Sequence, residues 1–238
     1  LSMAILKILK GKGQVIVPTL TWISDIASVI HNNLDPVFVD INPKNLCMSE
    51  DHIKRSVTNK TIAVFISHIQ GFNGLSSSLL KFLRKKNIML IEDVCESHGA
   101  TFQNKKLGTF GKISNFSFYY AHHMSTIEGG MICTNDKKIY QLSRILRSHG
   151  MAREIGEKQL EKKIIRKYPK LSSKFIFLLP GYNVRNTEIG ATIGLNQLKY
   201  LDRNNIKRRK NLDFFLKNLD SSKYRVNFDT KGSCNYAF

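Results

Sequence analysis

Side chains able to do acid–base or phosphate chemistry are concentrated in two short stretches, IEDVCESHGA from Ile91 and FSFYYAHHMSTIEGG from Phe116. In the first, Asp93 closes the apolar run IMLI, so its carboxylate stands at the rim of a buried segment and needs a cationic partner. A protonated ring nitrogen would serve; the competing reading, equally weighted, is an aspartate that caps the following turn. In the second, Ser117 lies between Phe116 and Phe118. Period-two alternation lets the rings bury on one face while the hydroxyl faces the other, open to a phosphate oxygen. Taken alone, an ordinary strand serine is the better reading. His122 and His123 stand five and six residues further on, and an imidazole, with an unperturbed pKa of about 6.5, moves protons near neutral pH. Adjacent histidines point in different directions and chelate poorly, so no metal site is expected.

The single tryptophan, Trp22, follows the apolar segment QVIVP within PTLTW and could lie flat on an aromatic ligand, although a packed core or interface tryptophan is favoured in isolation. His68 and His98 are read as structural or supporting residues. Glu128 is given no catalytic role, and Gly129 and Gly130 are read as allowing a tight turn close to a ligand. The four cysteines are far apart, with no CxxC pair and no histidine at zinc-ligand spacing. This argues for a reduced, cytoplasmic protein without a structural metal.

The elements that must carry these residues alternate. Short β-branched runs separated by helical patterns are the signature of a mostly parallel sheet with crossover helices, an α/β fold. Strands are expected at Gln14 to Pro18, Pro36 to Asp40, Ile62 to His68 and Ile88 to Asp93, with shorter ones at Asn115 to Tyr119 and Gly130 to Thr134. Helices are expected over LSMAILKILK, Ile23 to His31, Ser49 to Ser56 and Leu75 to Lys86, then in one capped by Asp136 and closed by Gly150. Met151 to Pro180 reads as a charged, helix-containing surface excursion. Two helical patterns follow, one carrying Ile189, Ile193 and Leu198, the other from Asn205 to Leu219. The strand that ends on Asp93 places that acid where α/β proteins bind ligands, at the carboxyl edge of the sheet.

At 238 residues and 42% hydrophobic, the chain can bury one large domain and part of a second. Its apolar runs are far short of the roughly 20 residues that span a bilayer, so no membrane role is expected. The formal charge of +19 raises the local concentration of anions. The basic residues are nevertheless scattered, with one dense cluster at KRRK, Lys207 to Lys210, and no nucleic-acid motif around it. A solvated lysine-rich surface is the preferred reading, and nucleic acid is not an expected partner.

In order along the chain, VIVPTLTW, FVDINP, IEDVCESHGA, FSFYYAHHMSTIEGG and GYNVRNTEIGATIGLNQL resemble the DegT-type sugar aminotransferase family, pyridoxal phosphate enzymes of fold type I. The resemblance covers nearly the whole chain. It implies a large cofactor-binding domain over 1–200, and over 201–238 a connecting helix and the start of a truncated, smaller C-terminal domain. A glycine- and serine-rich phosphate-binding segment is expected ahead of Leu1. The resemblance also implies that Trp22 stacks on the cofactor ring, Asp93 pairs with its nitrogen and Glu96 lies beside its O3′, where most members carry Gln. Ser117 binds the cofactor phosphate in this reading, and Asn183 reaches that phosphate across a homodimer interface.

One departure matters most. Family aminotransferases have a lysine five residues after the serine that forms the Schiff base with the cofactor, and here that position is His122. AHH before EGG, together with Glu in place of Gln, resembles the 3-dehydratase branch, whose members act on GDP-4-keto-6-deoxymannose or CDP-4-keto-6-deoxyglucose. That resemblance implies a 3-dehydratase using pyridoxal or pyridoxamine 5'-phosphate, with His122 as base, a nucleotide-linked keto sugar as substrate and glutamate as amino donor, in deoxysugar or O-antigen biosynthesis. CDP-sugar members hold an iron–sulfur cluster on cysteines downstream of the histidines. The corresponding RSHGMAREIGEKQ has none, so no cluster is expected. The alternatives are an aminotransferase of the same family and a non-catalytic relative that binds nucleotide sugars.

Overall fold

The computed structural model describes residues 1–237. Helix α1 (Ser2–Lys10) is followed by β1 (Gln14–Pro18), α2 (Ile23–His31), β2 (Asp35–Val39), α3 (Glu50–Ser56), β3 (Thr61–Ser67), α4 (Ser77–Lys85) and β4 (Met89–Asp93). A short antiparallel hairpin, β5 (Thr101–Phe102) and β6 (Lys105–Lys106), precedes β7 (Ile113–Ser117), β8 (Gly130–Cys133), α5 (Lys137–Leu146), α6 (Lys158–Lys167) and α7 (Glu188–Asn218). The main sheet has the order β2-β1-β3-β4-β7-β8 and is parallel throughout, except for the antiparallel β7–β8 pair. Parallel neighbours cannot be joined by tight hairpins, and α2, α3 and α4 are the crossovers that the β-rich runs require.

Helices on both faces explain why the β3 run is apolar without alternation. Val64 and Ile66 enter one core with Ile16, Leu90, Ile53 of α3 and Leu79, Leu80 and Leu83 of α4. Ala63 and Phe65 point the other way, packing with Val15, Val17, Ile91 and Ile113 against α1, Val29 of α2 and Ile139 and Leu146 of α5. Each fully buried leucine or isoleucine contributes about 1.5–3 kcal/mol relative to exposure. Helix α4 shows the local logic well. Its leucines form one stripe, the Ser76 hydroxyl accepts the Leu79 N–H at 2.9 Å, and Arg84 and Lys85 lie in the last turn, where the helix dipole favours cations.

The element boundaries fall within two residues of the periodicity for most strands. The exception is the C-terminal helical region. Two helices are expected there, but α7 runs unbroken for 31 residues. The polar Asn204 and Asn205 that interrupt the pattern do not break the backbone. Asn205 is buried and its Nδ2 donates to the His98 carbonyl at 2.7 Å, so the interruption is a tertiary contact with the loop after β4. The KRRK cluster is likewise partly structural. Arg208 donates to the Tyr236 carbonyl at 2.8 Å and Arg209 to that of Ser233, tying the C-terminal segment to α7. Among the described residues no helix is long and apolar enough to cross a membrane.

Candidate active site

Strands β3, β4 and β7 end level with one another, since Ser67 is in register with Asp93 and Asp93 with Asn115. Asp93 is thereby held at the carboxyl edge, buried, with one oxygen accepting the Cys95 N–H at 2.9 Å and the other the Ser67 hydroxyl at 3.3 Å. Glu96, half-buried in the following loop, accepts the backbone N–H of Gln70 at 2.7 Å. Gln70 sits in a tight turn with a left-handed φ of 55°, which aims that N–H at the carboxylate. A third carboxyl, Asp25, arrives from the first turn of α2. It is buried and accepts the Thr21 hydroxyl at 2.5 Å.

Three carboxyls in so small a volume repel one another. Burial, then the adjacent Asp93, pushes Asp25 up to about 8, and burial together with Asp93 also raises Glu96. None of the ion pairs among the described residues involves Asp25, Asp93 or Glu96. No group of His, Cys, Asp and Glu able to hold a metal ion is found among those residues either.

His122 follows in the turn beyond β7, its backbone N–H donating to the Tyr119 carbonyl at 3.0 Å. Its ring lies 5.4 Å from Tyr236, 5.9 Å from Tyr119 and 6.0 Å from His98, centroid to centroid. The Nδ1 atom is buried without a partner. Burial depresses its pKa below the ordinary histidine value despite the opposing pull of Asp93, so the imidazole is neutral near pH 7 and able to take a proton. Ser117 Oγ accepts the Tyr119 N–H at 3.3 Å, which leaves its own O–H to donate. Phe116 and Phe118, either side of it, both pack on the His98 ring, so the serine is set off from them by the strand pleat.

The second histidine has a different task. His123 is buried, its Nε2 lies 2.8 Å from the Cys234 carbonyl and 3.2 Å from that of Asn235, and burial lowers it to about 4. It pins the C-terminal segment that brings Tyr236 over His122. His98, pushed down to about 3 by burial and the neighbouring histidines, fills the space beneath them.

Trp22 and Asn183 lie at the surface. Trp22 is the residue just before α2, three positions from Asp25, and is 70% exposed. Asn183 is exposed as well, bridged to Ser148 just after α5, and its side-chain oxygen accepts from Arg185 at 3.3 Å. The EGG turn also differs from expectation. Its left-handed residue is Ile127, φ 72°, rather than either glycine. Gly129 is required for close approach, since a Cβ there would lie 2.5 Å from Thr126 Oγ1.

Sequence reasoning passed over two acids. Glu92 reads as half of an acidic pair, but it points away from Asp93 and is wholly buried. It accepts N–H bonds from Gly108 at 2.8 Å, Phe110 at 2.9 Å and Gly111 at 2.6 Å, and pairs with His68 Nε2 at 3.2 Å. It anchors the end of β4 from below. Asp25 looked like any acid in a helix's first turn, and nothing local distinguishes it.

A pyridoxal phosphate ring suits this donor set. The carboxyl cluster lacks a cation that a protonated ring nitrogen supplies, the Ser117 O–H is free for a phosphate oxygen, and the buried His122 Nδ1 has no partner. The profile described as the DegT/DnrJ/EryC1/StrS aminotransferase family matches residues 1–236. The chain is 38% identical over 210 residues to a GDP-4-keto-6-deoxy-D-mannose 3-dehydratase of Escherichia coli O55:H7, covering 87% of this chain and 53% of that one. It is 33% identical over 208 residues to a GDP-perosamine synthase of Escherichia coli O157:H7, covering 87% and 52%. A solved E. coli GDP-4-keto-6-deoxy-D-mannose-3-dehydratase with bound hydrated PLP superposes with a TM-score of 0.77 at 35% identity, over 91% of this chain and 57% of that one. The mostly parallel sheet flanked by helices is thus an architecture shared with pyridoxal phosphate enzymes, and the chain spans about half the length of the relatives it matches.

Proposed function

The chain belongs to the DegT/DnrJ/EryC1/StrS aminotransferase family, and on that premise we propose that it is the cofactor-binding part of a 3-dehydratase acting on a GDP-linked 4-keto-6-deoxy sugar. When bound, pyridoxamine phosphate supplies an amine for the sugar's ketone and a pyridine ring that takes up electrons. Asp93 would hold the protonated ring nitrogen, Glu96 the ring's hydroxyl edge and Ser117 the phosphate. Exposed Trp22 is available to cover the ring, and exposed Asn183 to meet a phosphate held by a second copy of the chain in a homodimer. Neutral His122 takes up a proton at Nδ1 and passes one to the departing 3-hydroxyl, the role of a general base and acid. Glutamate restores the amino group. We place the reaction in the cytoplasm, where the four free cysteines stay reduced.

One observation carries this reading. A histidine held neutral beside the carboxyl cluster occupies the position where an aminotransferase needs an amine, and no lysine lies between Lys112 and Lys137. The match to a GDP-perosamine synthase favours an aminotransferase as second reading. Incubating the full-length protein with pyridoxamine phosphate, glutamate and GDP-4-keto-6-deoxymannose separates the two. Dehydration yields ammonia and a 3-deoxy sugar, whereas amination yields a 4-amino sugar that keeps its 3-hydroxyl. His122→Lys is expected to abolish dehydration and to capture pyridoxal phosphate covalently, detected by borohydride reduction and intact mass. A wild-type protein that binds no pyridine cofactor sinks both readings.

A further inference from the structure

A general base is ordinarily oriented by a third group that bonds to it, yet the His122 Nδ1 is buried without a partner among the described residues. Packing must therefore orient the ring. Tyr119 belongs to the same backbone turn, and His98 approaches from the loop after β4 at 6.0 Å. Tyr236, at 5.4 Å the nearest of the three rings, comes from the C-terminal segment. That segment is fastened from several sides. Cys234 N–H donates to the Gly71 carbonyl and Tyr236 N–H to that of Gln70, both at 3.0 Å. Arg208 of α7 donates to the Tyr236 carbonyl at 2.8 Å, and His123 Nε2 lies 2.8 Å from the Cys234 carbonyl. The approach is so close that a Cβ on Gly71 would lie 2.7 Å from the Asn235 nitrogen. Gln70 joins two parts of the site, since its N–H holds the Glu96 carboxylate and its carbonyl holds Tyr236.

We propose that Tyr236 is a positioning residue, its ring the wall that holds the His122 imidazole in the orientation its proton transfers need. The role in catalysis rests on the function proposed above; the packing of the two rings does not. A reacting group displaced by about 1 Å can lose about a hundredfold in rate, and an imidazole free to turn about its side-chain bonds makes such displacements. The ring, rather than the hydroxyl, carries this role. Burial, then Glu96, pushes the phenol above its ordinary pKa, so it stays neutral and adds no charge beside His122.

The test compares full-length wild type, Tyr236→Phe and Tyr236→Ala. Without cofactor at pH 7, carbethoxylation of His122, located by fragmentation mass spectrometry, is expected to run severalfold faster in Tyr236→Ala than in wild type and at the wild-type rate in Tyr236→Phe. With pyridoxamine phosphate, glutamate and GDP-4-keto-6-deoxymannose, Tyr236→Ala is expected to lose about a hundredfold in kcat with KM near wild type, and Tyr236→Phe to stay within about twofold in both. Wild-type reactivity of His122 in Tyr236→Ala overturns the proposal. So does a kcat loss in Tyr236→Phe as large as that in Tyr236→Ala, which would give the role to the hydroxyl, or a rise in KM alone, which would make the ring a substrate contact. Wild type failing to dehydrate the sugar overturns the proposed function instead, and is told apart because the carbethoxylation series contains neither cofactor nor substrate.

Discussion

Glu92→Gln isolates what holds the site's central strand in place. The carboxylate accepts four bonds, Phe110 and Gly111 N–H on one oxygen, Gly108 N–H and His68 Nε2 on the other. His68 Nδ1 accepts the Gly74 N–H at 3.1 Å, which leaves the ring proton on Nε2 as a donor to Glu92. A glutamine therefore turns its NH₂ toward two donors whichever way it is oriented. Losing two bonds to a charged group, at about 1.5–3 kcal/mol each, predicts a loss of roughly 3–6 kcal/mol. That is a large share of the 5–15 kcal/mol that typically holds a domain together. With a slope of about 2 kcal/mol per molar, the urea midpoint should fall by roughly 1.5–3 M with the slope unchanged. The pH dependence supplies a second check. Burial alone would raise the Glu92 pKa, but the His68 bond and the backbone donors outweigh it and leave it below the ordinary value. Its contribution is then present above the unfolded value of about 4.3 and is lost as pH falls through the lower folded value. The wild-type midpoint should drop more steeply in acid than that of the variant. A midpoint shift under about 0.5 M, or identical acid profiles, would refute this account of the clamp.

Two further substitutions separate binding from folding. Ser117→Ala should weaken pyridoxal phosphate binding by about tenfold, read from cofactor absorbance, as one hydrogen bond to a charged group is lost. Its urea midpoint should stay near wild type, because inside the chain the hydroxyl accepts only a long bond from an exposed N–H. Asp136→Ala should do the reverse. It removes the acceptor for the Lys138 and Ile139 N–H groups at the start of α5, at a cost of about 1–2 kcal/mol in urea unfolding, and should leave cofactor affinity unchanged.

Period and punctuation were enough to read the scaffold from sequence. The apolar run Ile62 to Ile66 reads as a strand and is covered on both faces, and Asp136 announced its helix by cap chemistry that acts within three residues. Asp93 was legible for the same local reason, an acid ending an apolar strand. The long α7 was misread as two helices because Asn205 satisfies its amide on a loop 107 residues away in sequence, which no local pattern encodes.

The sequence by itself determined the alternation of strands and helices, the edge at which Asp93, Ser117 and His122 emerge, and the absence of a lysine between Lys112 and Lys137. Tertiary structure decided the protonation chemistry. Whether an acid is neutral or an imidazole is a base depends on desolvation and on charges a few ångströms away. Glu92 meets three backbone donors, and the adjacent histidines part, His122 against the rings of Tyr119 and Tyr236 and His123 onto the Cys234 and Asn235 carbonyls, only once β4 and β7 lie side by side and the C-terminal segment closes over them.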